Sequence, residues 1–189
     1  DDPISCSPLR SLRSFAAILL LLTTCSCVSP PRETAALTRF EFQQPQMGLP
    51  FRMVLYAPDP ATATVAASNA FYRIAQLNDI MSDYDSDSEL SRLSQSSGQG
   101  KVVPISNDLW RVLERAQSLS LRSGGAFDVT VGPCVNLWRK ARREKKMPDP
   151  TWLARARNSV GHQHVRLDSR RRTVELLVPD MRLDLGGIA

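Results

Sequence analysis

Histidine and cysteine are both scarce in this chain of 189 residues, which holds two of the first and four of the second. His162 and His164 sit two apart, a spacing that suits one face of a strand, but no third ligand accompanies them. They read as surface residues on a hairpin. No Ser-His-Asp set, Walker loop or Rossmann glycine fingerprint is present, so the commonest hydrolase and nucleotide-binding chemistries find no support. Cys6 lies ahead of the apolar leader, which leaves Cys134 without an obvious disulfide partner downstream; it reads as a small buried hydrophobe. Cys25-Ser26-Cys27 lacks the second ligand pair that a structural metal site needs. No internal repeat is visible, and the apolar run at 15–22 is too short to span a bilayer comfortably.

What is present fits an ordinary globular protein, with 42% hydrophobic and 23% charged residues, a balance that excludes wholesale disorder. The net charge of +5 is concentrated at 139–146 and 170–172. Such patches suit a phosphate-rich partner or an anionic membrane surface. No aromatics interleave with the charges and no nucleic-acid motif occurs, so they read as a solvated helix end and a hairpin turn.

At the N-terminus, Arg10 and Arg13 precede the apolar run, and Thr23-Thr24-Cys25-Ser26-Cys27 follows it. A basic region, a short apolar core and small residues make a secretory signal. Leu22-Thr23-Thr24-Cys25 resembles the bacterial lipoprotein pattern, with Cys25 or Cys27 as the acylated residue; the alternative is a cleaved signal with incidental cysteines. The expected organisation is a signal over 1–27, a tether over 28–46 and a domain over 47–189, lipid-anchored on a bacterial inner membrane and facing the periplasm. Residues 1–9, which open without methionine, are expected to be an upstream extension or a gene-prediction artefact.

Within the domain, alternation predicts a strand over 51–56. A helix follows over 61–81, with Val65, Phe71, Ile74, Leu77 and Met81 on one side. Residues 82–89 read as a polar loop and 101–105 as a short extended segment. Ser106 is placed to cap a helix carrying Leu109, Val112, Leu113 and Ala116, which Gly124 and Gly125 end. Residues 154–158 are weakly helical, and 165–167 with 173–178 predict a hairpin. Strands and helices without regular alternation predict an α+β fold, a mixed or antiparallel sheet packed with helices.

Three segments carry candidate chemistry. Asp83, Asp85 and Asp87 have the opening spacing of a calcium loop, but Ser88 stands where its glycine belongs and Ser94 where its bidentate glutamate belongs, so calcium is rejected. Tyr84 offers a ring that can stack on a base or flavin, or simply pin the loop to the core. In Gly124-Gly125-Ala126-Phe127-Asp128 the backbone can pass close to a planar ligand, and Asp128 can accept hydrogen bonds from ring N–H or hydroxyl groups. Its plain reading is a helix cap leading into a buried strand. Finally, the strand-like 181–183 runs into Asp184-Leu185-Gly186-Gly187-Ile188-Ala189, where paired glycines let backbone N–H groups approach a diphosphate.

In their order, these segments with Gln46-Met47-Gly48-Leu49-Pro50-Phe51, Leu90-Ser91-Arg92-Leu93 and Leu137-Trp138 resemble the ApbE family of FAD:protein FMN transferases over residues 47–189. The resemblance implies transfer of FMN from FAD to a Thr or Ser hydroxyl of a target protein, with magnesium and release of AMP. Implied targets are exported or membrane-embedded subunits of sodium-pumping NADH:quinone reductase and related electron-transfer complexes. Met47 and Tyr84 would contact the flavin nucleotide, Ala126, Phe127 and Asp128 would line its site, and Asp184 would hydrogen-bond to it. Gly187 would give magnesium its carbonyl oxygen. Leu49 departs from the family's usual Thr. The family's later Asp- and Thr-bearing motif, which supplies the side-chain ligands for magnesium, does not occur in this sequence, so transfer by this stretch alone is not expected. Rival readings are an exported lipoprotein that holds or hydrolyses FAD without transfer, and an exported scaffold without flavin.

Overall fold

Phe40 and Phe42 alternate with Arg39, Glu41 and Gln43, and this two-residue period makes a strand once a partner lies beside it. The computed structural model describes residues 36–46 and 49–189. In it β1 (Thr38–Gln46) pairs antiparallel with β2 (Leu49–Ala57), with Phe42 opposite Met53 and Gln46 opposite Leu49. The segment expected to be a tether is thus a strand from Thr38 onward. Its alternation is diluted by Gln and Pro, and only β2 makes it legible. The signal, Cys25, Cys27 and Met47 lie outside the described residues. On the exposed face of the ribbon Glu41 pairs with Arg39 and Arg52. Those two guanidiniums, Arg52 foremost, lower its carboxyl to about 2.

The helix α1 (Pro60–Met81) packs across this ribbon. Asp59 caps it, accepting from the Thr62 N–H and hydroxyl at 2.8 Å each, and proline occupies the first turn, where its missing N–H costs nothing. A second helix, α2 (Glu89–Gln95), stands where the sequence reads as the end of a polar loop and beyond. Seven residues with Leu90 and Leu93 as their only apolar side chains give no periodic signal, yet both leucines are fully buried, with Ser91 and Ser94 buried beside them. The helix α3 (Asn107–Arg122) follows expectation: Ser106 caps it, and Leu109, Leu113, Ala116 and Ser120 form the buried face. Gly125, at φ 83°, ends it by donating its N–H to the Ser120 carbonyl at 2.8 Å.

Three short strands, β3 (Val103–Pro104), β4 (Val165–Asp168) and β5 (Thr173–Leu176), form an antiparallel sheet in the order β3-β5-β4. Asp168 closes the β4–β5 turn by accepting from the Arg170 and Arg171 N–H groups, so the basic run at 170–172 is the hairpin turn expected of it. Val174 and Leu176 pack against leucines of α2 and α3, joined by Met181, Leu183 and Leu185. Full burial of each such side chain is worth about 1.5–3 kcal/mol.

The helix α4 (Gly132–Glu144) begins inside a segment expected to run on as a strand. Proline in its first turn and Gly132 explain the switch. A Cβ on Gly132 would stand 2.4 Å from the Arg182 carbonyl oxygen, so only glycine lets α4 start against the chain at 182. Lys145, in the left-handed region, ends the helix, and α5 (Pro150–Asn158) follows, capped by Asp149. Trp110 is a core residue, but Trp138 and Trp152 stand exposed rather than packed. Gly132→Ala is expected to lower stability by about 1–3 kcal/mol, because backbone must move to admit the methyl group; a urea melt against the parent protein measures it.

Candidate functional site

Two stretches distant in sequence run side by side. Val131 bridges Arg182 in parallel, and the Asp184 N–H donates to the Val129 carbonyl at 2.8 Å. This places Ala126-Phe127-Asp128 next to Asp184–Gly187. The Phe127 ring lies 3.4 Å from where a Gly187 side chain would begin. Asp184 steadies the turn below it by accepting from the Gly186 N–H at 2.9 Å.

The other Asp184 oxygen accepts from Arg139 of α4 at 3.1 Å. Arg139 also pairs with Asp83, and its guanidinium lies 4.4 Å from the centre of the Tyr84 ring. Arg182 donates to the Asp83 carbonyl. One arginine therefore ties the loop at 83–84 to the turn at 184–187. Both carboxylates are largely sheltered, with side chains 14% and 11% exposed. Burial works against the charge of Arg139, but Asp83 first and Asp184 next outweigh it and hold its pKa above the ordinary value. Tyr84 itself is 80% exposed, so its ring is available to a ligand.

Asp128 is tied into the protein through both of its oxygens. One of its oxygens accepts from the Thr130 N–H and hydroxyl at 2.8 and 2.7 Å, and the other from the His162 N–H at 2.7 Å. The fully buried Thr130 in turn accepts from the Gly161 N–H at 2.7 Å. Three of about four acceptor directions of the carboxylate are used inside the protein, so Asp128 braces the segment at 126–130 and keeps about one direction free. His162 belongs to this brace and not to a hairpin surface. It sits in a single helical turn (His162–His164) ahead of β4, its ring packs near Gly125, and its Nδ1 is buried without a partner among the described residues.

Of the remaining acids in the loop, Asp85 accepts from the Asp87 N–H at 2.9 Å. Among the described residues no group of three or more His, Cys, Asp or Glu side chains could hold a metal ion. Gly187 can offer magnesium only a carbonyl oxygen, so the residues present do not by themselves fit that ion. For FAD the fit is better but one-sided. Tyr84, Phe127 and the turn at 184–187 form an open wall, whereas flavin sites are enclosed. Two open depressions, of about 400 and 330 Å³, are lined by α4 and α5 residues such as Leu137 and Trp152 and contain none of these side chains. Sequence reasoning missed Arg139, which reads as one cation among many at a helix end, and Thr130, which carries no signal outside its contacts.

A model of the ApbE family matches residues 47–189. The chain is 38% identical over 120 residues to the FAD:protein FMN transferase of Haemophilus influenzae, covering 61% of this chain and 35% of that protein. It is 31% identical over 178 residues to the Vibrio cholerae transferase, covering 93% and 51%. Among solved structures it superposes on the flavin transferase ApbE from Vibrio cholerae with a TM-score of 0.67 at 27% identity, over 79% of this chain and 48% of that one. The apo flavinyl transferase ApbE of Pseudomonas stutzeri gives the same TM-score at 25% identity, over 81% and 48%. The chain thus spans at most about half the length of these relatives.

Arg139→Ala is expected to cost about 1–3 kcal/mol, less than a fully buried pair because the guanidinium is partly solvated. A urea melt against the parent protein measures it. Thr130→Val keeps the shape but leaves the Gly161 N–H without its acceptor, and is expected to cost about 1–3 kcal/mol by the same measurement.

Proposed function

Because the chain belongs to the ApbE family, we propose that this protein is an FAD:protein FMN transferase. The supporting observation is the convergence of Tyr84, Phe127 and the turn at 184–187 on one wall, held by Arg139. In the reaction a Thr or Ser hydroxyl oxygen of the target bonds to the FMN phosphorus of FAD, the bond to the AMP phosphate oxygen breaks, and the hydroxyl proton leaves with a base or solvent. Magnesium, when bound, would neutralise charge on the diphosphate.

The chain's own contribution is binding and orientation. The Tyr84 ring offers a stacking face for flavin or adenine. Backbone at Gly186 and Gly187, without side chains in the way, can come close to the phosphates. Asp184, held by Gly186 and Arg139, presents a fixed carboxylate edge beside them. Met47 would add an apolar contact. Targets are exported or membrane-embedded subunits of electron-transfer complexes, in keeping with a signal that ends at Cys25 or Cys27 and would leave the protein lipid-anchored in the periplasm. Because the described residues hold no acidic metal cluster, an FAD-holding role without transfer is the second reading.

FAD fluorescence quenching and transfer of FMN to a Thr-containing target, both with and without magnesium, test the proposal on protein expressed from its full reading frame. Tight binding with magnesium-dependent labelling is expected, and Tyr84→Ala should weaken binding roughly tenfold through loss of one stacking face. Binding without labelling would favour the holder, and no binding would reject both.

A further inference from the structure

The charge of this protein is not spread over its surface. Residues 140–157 carry seven Lys and Arg against Glu144 and Asp149, a net +5 that equals the charge of the whole chain, so everything else sums to zero. Two of these cations have loose partners: Lys140 with Glu144 at 3.9 Å and Arg155 with Asp180 at 4.0 Å, all four more than half exposed. Among the described residues Arg142, Arg143, Lys145, Lys146 and Arg157 have no acid within ion-pair distance.

The same helix pair exposes apolar surface. Met147 is 73% exposed and Trp152 60%, with Trp138 nearby in sequence to the basic run at 46%. Of α4 only Gly132 is fully buried, and of α5 nothing. Trp152 stands between the two depressions, lining both together with Leu137, while Lys140 and Lys146 line one and Arg155 the other. The sequence reads as if no aromatics interleave with the charges, but the fold sets Trp152 among them.

We propose that the α4–α5 face docks on an anionic lipid surface, with Trp152 and Met147 entering the headgroup layer and the surrounding Lys and Arg meeting lipid phosphates. Trp152 and Met147 share the walls of these depressions with Lys140, Lys146 and Arg155, and so bring together the two forces that interfacial binding combines, apolar burial and attraction to negative headgroups. A nucleic-acid track would need successive stacking rings along a basic groove; here Arg142, Arg143, Lys145 and Arg157 lie outside the depressions and acids share their walls. The inference is independent of the flavin reading, and of any acyl anchor.

The test reads Trp152 locally. In the full-reading-frame protein with Trp138→Phe, Trp152 is the exposed tryptophan among the described residues, since Trp110 is buried. Its emission is followed with vesicles of brominated phosphatidylcholine alone, or of the same lipid mixed equally with phosphatidylglycerol. Attachment through another part of the chain does not by itself bring bromine to this ring. Quenching and a blue shift are expected only with phosphatidylglycerol, reversed by high salt. Lys145→Glu with Lys146→Glu, and separately Arg142→Glu with Arg143→Glu, should each weaken partition by about tenfold or more. Three results would overturn the proposal: no quenching with phosphatidylglycerol, equal quenching with both vesicles, or a Trp152 already shielded without lipid by a second copy or another segment.

Discussion

The site depends on one irregular pairing. Between Val129 and Val131 the chain lies parallel to residues 182–184, joined by the Val131–Arg182 bridge and the Asp184 N–H to Val129 carbonyl bond. That pairing sets Phe127 against Gly187 and starts α4 where Arg139 can reach Asp83 and Asp184. It is possible because Gly132 lets two backbones touch where any side chain would force them apart. The two glycine-bearing motifs are therefore halves of one structural unit.

Around this pairing two kinds of polar contact do different work. The brace of Asp128, Thr130, Gly161 and His162 is built on a buried hydroxyl and short neutral or charge-assisted hydrogen bonds, so it fixes the backbone at 126–130 from behind. The Arg139 cluster lies nearer solvent and holds the face that a ligand would meet. The rigid layer lies behind and the presenting layer in front, the arrangement by which a binding surface keeps its geometry when the ligand is absent.

Much of this was legible in the sequence, for definable reasons. The α+β class, α1, α3 and the β4–β5 hairpin announce themselves through period, cap and turn residues. The order of motifs identified the family, and the superposition on flavin transferases agrees. What escaped are features that exist only in contact. The strand β1 needs β2 beside it, and α2 is too short to show a period. The roles of Arg139 and Thr130 depend on partners 31 to 56 residues away. His162 reads as a surface residue, because spacing alone does not show that its N–H bonds to Asp128.

Among the described residues the ribbon of β1 and β2 has two open edges, and a hairpin of two strands is an invitation to further strands. Arg39, Glu41 and Arg52 stand on its exposed face in a linked set of charges. A neighbouring chain that tried to extend the ribbon would have to lay its own side chains against these ions and strip their water. The hairpin is thereby guarded against aggregation during folding or refolding, while its other face remains free to hold α1.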